Sequence, residues 1–170
     1  MSTSEIVNKI KQVIQDGNSA FIFTGQCALI IKILTELQNK INEIPESQFS
    51  NLELAICLEQ LDKIINSFKS DQWDKIILTI PISQSFSNLT EVMTSIEQTL
   101  QKLNITLENN YTVLNETLAN DLKSFYELLS DSSQFEETAV KRKLKEIEEY
   151  LIEIGYPLDP NSQLIQSKNI

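Results

Sequence analysis

Histidine is missing from the 170 residues of this chain, which also contain only three glycines, four prolines and two cysteines. Histidine is a common general base and metal ligand, so its absence excludes a Cys protease and metal sites that combine His with Cys or Glu. The few glycines exclude the glycine clusters of phosphate-binding loops. They also supply too few turns for a β-sandwich or an α/β fold, which predicts a protein built from helices.

Positive charge is also scarce, with 14 Lys and Arg residues against 24 Asp and Glu residues and a net charge of −10 at pH 7. The acidic residues are spread along the chain rather than gathered in one tail. A nucleic-acid-binding protein needs a positive surface, so we expect no nucleic-acid partner. The same charge balance weakens attraction to anionic lipid, and its simplest role is to keep the protein soluble.

Long apolar runs and a secretory signal are missing as well. The longest uncharged stretches, 17–31 and 76–90, are each about 15 residues long, whereas a membrane-spanning helix needs roughly 20. The first residues lack the basic segment and the apolar segment of a secretory signal. We therefore expect a cytoplasmic protein in which Cys27 and Cys57 are buried thiols.

What the sequence does contain is a repeated apolar spacing of threes and fours along three stretches. This spacing places the apolar side chains on one face of an α-helix, and that face must be buried against other helices. The three series are Cys27, Ile30, Leu34, Leu37, Ile41 and Ile44; Leu54, Leu58, Leu61, Ile65 and Phe68; and Phe86, Leu89, Met93, Ile96, Leu100, Leu103 and Leu107.

Looser patterns predict further helices on either side of these three. A first helix follows Ser4, with a stop or weak point at Asp16-Gly17-Asn18, and the next helix begins near Asn18 or after an irregular joint over 20–25. A short helix is predicted over 73–79, and a fifth and a sixth long helix over 111–129 and 140–154.

Breaks at Pro45, Ser70 and Pro81 separate the predicted helices and argue against one long coiled coil. Short connections between helices of this length favour antiparallel neighbours. We therefore expect an all-α protein with an antiparallel up-down four-helix bundle over 1–107. One or two brace-like helices over 108–156 and a flexible tail over 157–170 complete the predicted domain organisation.

The sequence shows no arrangement of side chains that predicts catalysis. Acidic residues gather near the end of the sixth predicted helix, where a solvated face is the simplest interpretation. These residues are Glu146, Glu148, Glu149 and Glu153. We expect a non-enzyme with no catalytic residue, no cofactor and no metal.

Two groups of residues are candidates for contact with a membrane or a partner. The first is basic, and a solvated face is its alternative interpretation; it comprises Lys9, Lys11, Lys32 and Lys40. The second is the apolar run Phe21, Ile22 and Phe23. Three consecutive apolar residues do not fit one helical face, so they predict either an exposed patch or a bridge between the core and a neighbouring helix.

The order of several short motifs resembles a known family. Gln12-Val13-Ile14 is followed by Gln26-Cys27, a Leu-rich helix over 54–68, a hydrophobic segment over 73–80 and the heptads of 86–104. This order is similar to the N-terminal helical domain of mixed lineage kinase domain-like protein, and to the related plant helper-receptor, powdery-mildew-resistance and fungal HeLo domains. The resemblance covers roughly residues 4–107.

The resemblance implies a four-helix bundle that is released, oligomerises and engages an anionic membrane in cell death or innate immunity. In that family basic residues on the first helices contact lipid, which implies this role for the four lysines named above, although acidic residues lie between them here. One expected function is therefore a self-associating signalling bundle that is peripheral to membranes on activation. The other is a cytosolic adaptor or scaffold that binds another protein and has no membrane activity.

Overall fold

The computed structural model describes residues 3–44, 52–69, 73, 81–109, 115–131 and 135–158. Across these ranges the chain forms six α-helices and no β-strand, with one isolated bridge between Ala20 and Lys69. The prediction of an all-α protein is confirmed. The helices are α1 Thr3–Asn18, α2 Thr24–Asn42, α3 Leu52–Asn66, α4 Ile82–Lys102, α5 Asn115–Ser130 and α6 Glu137–Glu153.

The helix boundaries follow the sequence patterns with a few differences. Helix α1 continues through Gly17, where a Cβ atom would lie 3.1 Å from Cδ1 of Ile31, so the missing side chain lets α1 approach α2 closely. Helix α2 begins only at Thr24. Of the two predicted starts, near Asn18 or after an irregular joint over 20–25, the second is therefore confirmed. The predicted turn before α3, most of the predicted short helix over 73–79 and the tail from 159 lie outside the described residues.

The predicted apolar faces form the core. Nearly all of the residues in the three series are buried, and Cys27 and Cys57 are buried free thiols, as predicted. Only Ile44, Leu103 and Leu107, at the ends of the series, are partly buried. The helical spacing therefore identified the side chains that the fold removes from water.

The order of the helices around the core depends on contacts between distant residues. Helix α1 packs against both α2 and α3, and α3 packs against α4. Lys9 and Asp16 of α1 pair with Glu59 and Lys69 respectively. The later residue of α1 pairs with the later residue of the α3 segment, so α1 and α3 run parallel as neighbours. The prediction that α1–α4 form an antiparallel up-down bundle is not settled by these contacts and stays a prediction.

Helix α5 packs against α2 and helix α6 against α4, and carboxylates on α5 and α6 reach the ends where α2 and α4 begin. Neither Phe23 nor Pro81, the N-cap residues of α2 and α4, supplies a capping side chain. The Asp121 carboxylate on α5 instead accepts hydrogen bonds from the backbone N–H of Gly25 at 3.0 Å and of Gln26 at 2.8 Å. Carboxylates at helix N-termini satisfy exposed N–H groups and complement the helix dipole.

The beginning of α4 is capped in the same way from α6. The Glu146 carboxylate accepts a hydrogen bond from the Ile82 N–H and another, at 2.9 Å, from Nζ of the buried Lys143. Nearby, the Tyr126 hydroxyl donates to Glu148 at 3.0 Å. Glu146 and Glu148 are therefore half-buried and bonded to α4 and α5, so their interpretation as part of a solvated face is wrong. Glu149 and Glu153 are exposed, in agreement with that interpretation.

An aromatic cluster joins these helices at one end of the molecule, and Phe23 lies at its centre. The Phe23 ring is 2% exposed, and its centroid lies 5.0 Å from that of Phe68, 4.8 Å from Phe86 and 5.3 Å from Phe125. The Trp73 ring packs edge-on against Phe125. One side chain in the α1–α2 joint thus contacts a residue just after α3, one near the beginning of α4 and one in the middle of α5.

The backbone of Phe23 has φ 55° and ψ 38°, in the left-handed region that non-glycine residues avoid. A left-handed conformation costs an L-residue about 1–2 kcal/mol. The aromatic contacts offset this cost by placing the ring in the core at the point where the chain turns from α1 into α2.

Replacing Phe23 separates these two effects. Phe23→Ala is expected to lower the free energy of unfolding by about 3–5 kcal/mol, because the cluster loses its central ring. Phe23→Gly is expected to be more stable than Phe23→Ala by about 1 kcal/mol, because glycine adopts the left-handed conformation freely. Urea unfolding followed by circular dichroism measures both, with the half-exposed Phe21→Ala as the control. A glycine variant less stable than the alanine variant would contradict the account of strain.

Candidate functional site

The three consecutive apolar residues of the α1–α2 joint lie in different environments. Ile22 and Phe23 are buried, whereas Phe21 is 49% exposed and its ring stacks on that of Trp73 with 6.2 Å between centroids. The N–H groups of Phe21 and Ile22 both donate to the Phe68 carbonyl, at 2.8 and 3.2 Å. For Ile22 and Phe23 this geometry fits the bridge between the core and a neighbouring helix. Phe21 alone offers apolar surface, and its role in contact with a membrane or partner stays a prediction.

The four lysines do not form one continuous strip. The Lys9 ammonium lies 2.5 Å from a carboxylate oxygen of Glu59 on α3, while Lys11 is exposed. Residues two positions apart in a helix are separated by about 200° around its axis. Lys9 and Lys11 therefore project from different faces of α1. Lys32 and Lys40 are exposed on α2, and the charge of Lys40 acts on Glu36.

A pair of carboxyl groups ties the end of α1 to α3. The Asp16 side chain is buried, with Oδ1 2.7 Å from Nζ of Lys69. Its Oδ2 accepts hydrogen bonds from Gln12 at 3.1 Å and from Asn66 at 3.4 Å. The Asn66 amide also donates to Asp62 at 3.2 Å, so it bridges the two carboxyl groups.

The environments of the two carboxyl groups move their pKa values in opposite directions. Burial would raise the pKa of Asp16, but hydrogen bonds from Asp62, Lys69 and Gln12, with the charge of Lys69, lower it to about 2. Burial raises the pKa of Asp62 to about 6, assisted by its hydrogen bond to Asp16 and by the Asp16 charge. The two carboxyl groups therefore titrate as a coupled pair, in which Asp62 takes up a proton before Asp16 as the pH falls.

The sequence pattern predicts Asp16 only as part of a helix stop and does not identify its partners, Asn66 on α3 and Lys69 just after it. The spacing of Asp62, Asn66 and Lys69 did carry a signal, because residues three and four apart share one helix face. Their pairing with Asp16 required the parallel packing of α1 and α3, which the sequence pattern does not contain.

A second feature is a groove of about 300 Å³ between α2 and α4. Residues 105–109, which we call the strap, run beside α4 and form part of the wall of the groove. The strap is tied to α2 by one carboxylate, because Glu36 accepts hydrogen bonds from the Glu108 N–H at 2.6 Å and the Asn109 N–H at 2.9 Å. The aliphatic residues that line the groove are Ile33, Met93, Ile96, Leu100, Ile105 and Leu107.

The two thiols have environments that suppress reactivity. Burial raises the pKa of Cys27 to about 12, and the nearby Asp121 charge adds to the shift. Burial also raises the pKa of Cys57, with the charge of Glu53 adding to the effect. A thiol reacts as a nucleophile through its thiolate, so both side chains act as small apolar core residues near neutral pH.

The carboxyl pair predicts a pH-dependent stability. Because the folded pKa of Asp62 exceeds its ordinary value of 3.8, this group stabilises the fold below about pH 4, and the contribution is lost as the pH rises through about 6. Asp62→Asn, which cannot ionise, should remove this dependence and raise the free energy of unfolding at pH 7.5 by about 1 kcal/mol, a figure reduced for solvent screening.

Urea unfolding at pH 4.5, 6 and 7.5 measures the effect, with the exposed Asp131→Asn as the matched control. The wild type and the control should lose stability across this range relative to Asp62→Asn. Parallel curves for Asp62→Asn and the wild type would contradict the raised pKa of Asp62.

Three further observations bear on function. Within the described ranges, no helix is long and apolar enough to cross a bilayer. In the same ranges, no group of three or more acidic or cysteine side chains is placed to hold a metal ion. Comparisons with known proteins found no match, whether to a family model, to a curated protein or to a solved structure.

Proposed function

We propose that this chain is a non-enzymatic helical module that associates with itself, as the resemblance to cell-death and innate-immune bundle proteins implies. The observation that carries the proposal is the outer surface of α3. Leu52 and Ile56 lie one helical turn apart on it and are 63% and 46% exposed. Large apolar side chains that share an exposed helix face favour contact with another apolar surface.

Polar residues surround this apolar pair. Glu53 and Lys63 are exposed on α3, and Glu53 lies 3.5 Å from Lys102 of α4. An apolar centre with a polar rim is typical of protein interfaces. A two-fold axis places the same surface on both partners, so the acidic and basic groups of one copy can face the opposite charges of the other. This supports a second copy of the chain as the partner.

The positions of the ionisable side chains support a module without catalysis. Asp121 and Glu146 bind the N–H groups of helix ends, and Glu36 binds those of the strap. These carboxylates therefore hold the fold together rather than facing a cleft. We further propose that α1–α4 are the bundle, that α5 and α6 act as its brace, and that the protein works in the cytoplasm.

Self-association is tested by sedimentation velocity over a range of concentrations. The double variant Leu52→Ser with Ile56→Ser is expected to weaken dimer formation by about tenfold or more, because it removes the apolar centre of the interface. Ile152→Ser on α6 is the matched control, since Ile152 is 64% exposed and also aliphatic. A wild type that stays monomeric throughout, or a double variant that associates as the wild type does, would contradict the proposal.

A second candidate function is contact with an anionic membrane on activation. The half-exposed Phe21, stacked on Trp73, is the observation that favours it, because aromatic side chains bury well at a membrane interface. Lys11, Lys32 and Lys40 are the exposed members of the predicted basic set and can meet anionic headgroups.

Flotation with vesicles of anionic or neutral lipid tests this second function. The wild type is expected to float with anionic vesicles, and Phe21→Ser or the double variant Lys11→Glu with Lys32→Glu should reduce the bound fraction by about threefold or more. Lys63→Glu, which makes the same charge change on α3, is the control. If no variant or wild type binds vesicles, the cytosolic adaptor or scaffold that binds another protein is favoured.

A further inference from the structure

The strap has the pattern of a bound peptide. Residues 105–109 alternate between half-buried and exposed, as in an extended chain that lies on a surface. The half-buried positions are Ile105, Leu107 and Asn109, and the exposed positions are Thr106 and Glu108. The aliphatic side chains of the strap thus belong to the same apolar surface as Ile33 and the inner face of α4.

The strap begins at a sharp reversal and is anchored near its end. Asn104, with φ 58°, is left-handed, and the Ile105 N–H donates to the Leu100 carbonyl at 2.9 Å, which closes α4 and turns the chain back. At the other end, the side-chain amide of Asn109 adds a third donor to Glu36, at 2.9 Å. Burial would raise the pKa of Glu36, but these donors and the charge of Lys40 lower it.

We propose that the groove between α2 and α4 is a binding site for an extended peptide with aliphatic residues at alternate positions, and that its occupant in an associated pair is the strap of a second copy. The inference rests on the proposed self-association and deepens it. When two copies exchange straps, each groove contacts the same strap side chains as before, and each Glu36 accepts hydrogen bonds from the same donors. The contacts within one copy are thus reproduced between two copies.

The hydrogen bonds between Glu36 and residues Glu108 and Asn109, which we call the anchor, decide when exchange takes place. A strap in the same chain has a high effective concentration at its own groove, so it excludes a second copy while Glu36 holds it. The anchor consists of hydrogen bonds to one partly exposed carboxylate, and the strap's side chains are only half-buried. Loss of the Glu36 contact is therefore expected to free the strap without unfolding α1–α4.

Two complementary variants test the exchange, both made with Leu52→Ser and Ile56→Ser so that association through α3 does not contribute. The anchor variant Glu36→Ala has an intact strap but a weakened groove of its own. The strap variant Ile105→Ser with Leu107→Ser has a defective strap but an intact groove and an intact Glu36. Each alone is expected to be monomeric in sedimentation velocity, because neither can form the complete contact with itself.

An equimolar mixture of the two variants is expected to contain a species of twice the mass, because the intact strap of one meets the intact groove of the other. Its dissociation constant should be about tenfold lower than that for self-association of either variant. The matched control is Glu43→Ala, which removes an exposed acid at the end of α2 and leaves the anchor in place. Mixed with the strap variant, it should remain monomeric. A mixture without the heavier species, or a control mixture that associates equally, overturns strap exchange and leaves the α3 result unaffected.

Hydrogen exchange provides a readout that does not need association. In the otherwise wild-type chain, Glu36→Gln is expected to speed amide exchange at Glu108 and Asn109 by about tenfold, and Glu43→Gln should not. Unchanged exchange at these two amides would overturn the role of Glu36 as the anchor, even if a strap variant failed to fold.

Discussion

The burial of the Phe23 ring is the contact on which the arrangement of the helices depends. The ring lies in the α1–α2 joint and touches aromatic side chains that follow α3, begin α4 and lie within α5. It reaches this position only because its backbone adopts a left-handed conformation. A local cost in backbone energy thus stabilises contacts between parts of the chain that are distant in sequence. Removing the ring would leave the helices without a common centre at this end.

The acidity of the chain has a structural use that its net charge does not reveal. Asp121, Glu146 and Glu36 each bind backbone N–H groups of another part of the chain. In two of these cases the N–H groups begin a helix whose own N-cap residue supplies no capping side chain. An unpaired N–H at a buried helix end is unfavourable, so a carboxylate from a neighbouring helix stabilises both the end and the packing.

The surfaces proposed for association differ in what covers them. Leu52 and Ile56 on α3 are open to solvent, so contact there requires no internal rearrangement. The groove between α2 and α4 is bordered by the chain's own strap, and contact there requires the Glu36 anchor to open. A module with one open and one guarded surface can associate weakly at rest and more tightly after release.

The amino-acid sequence by itself determined the helices and their buried faces. Steps of three and four identified residues such as Leu34, Leu58 and Ile96, which are fully buried, because helical periodicity depends only on neighbours along the chain. The same reasoning predicted the buried thiols and the all-α class. It also offered core bridging as one alternative for Ile22 and Phe23, although it did not choose between that and an exposed patch.

Only the tertiary structure decided which helices are neighbours and which polar groups meet. The Asn66 bridge between Asp16 and Asp62, and the opposite shifts of their pKa values, follow from the parallel contact of α1 with α3. Asp121 reaches the Gln26 N–H across a separation of 95 positions. The strap reaches Glu36 because Asn104 reverses the chain. Such contacts join residues whose separation in sequence carries no periodic signal, so they are determined by the packing of complete helices rather than by local pattern.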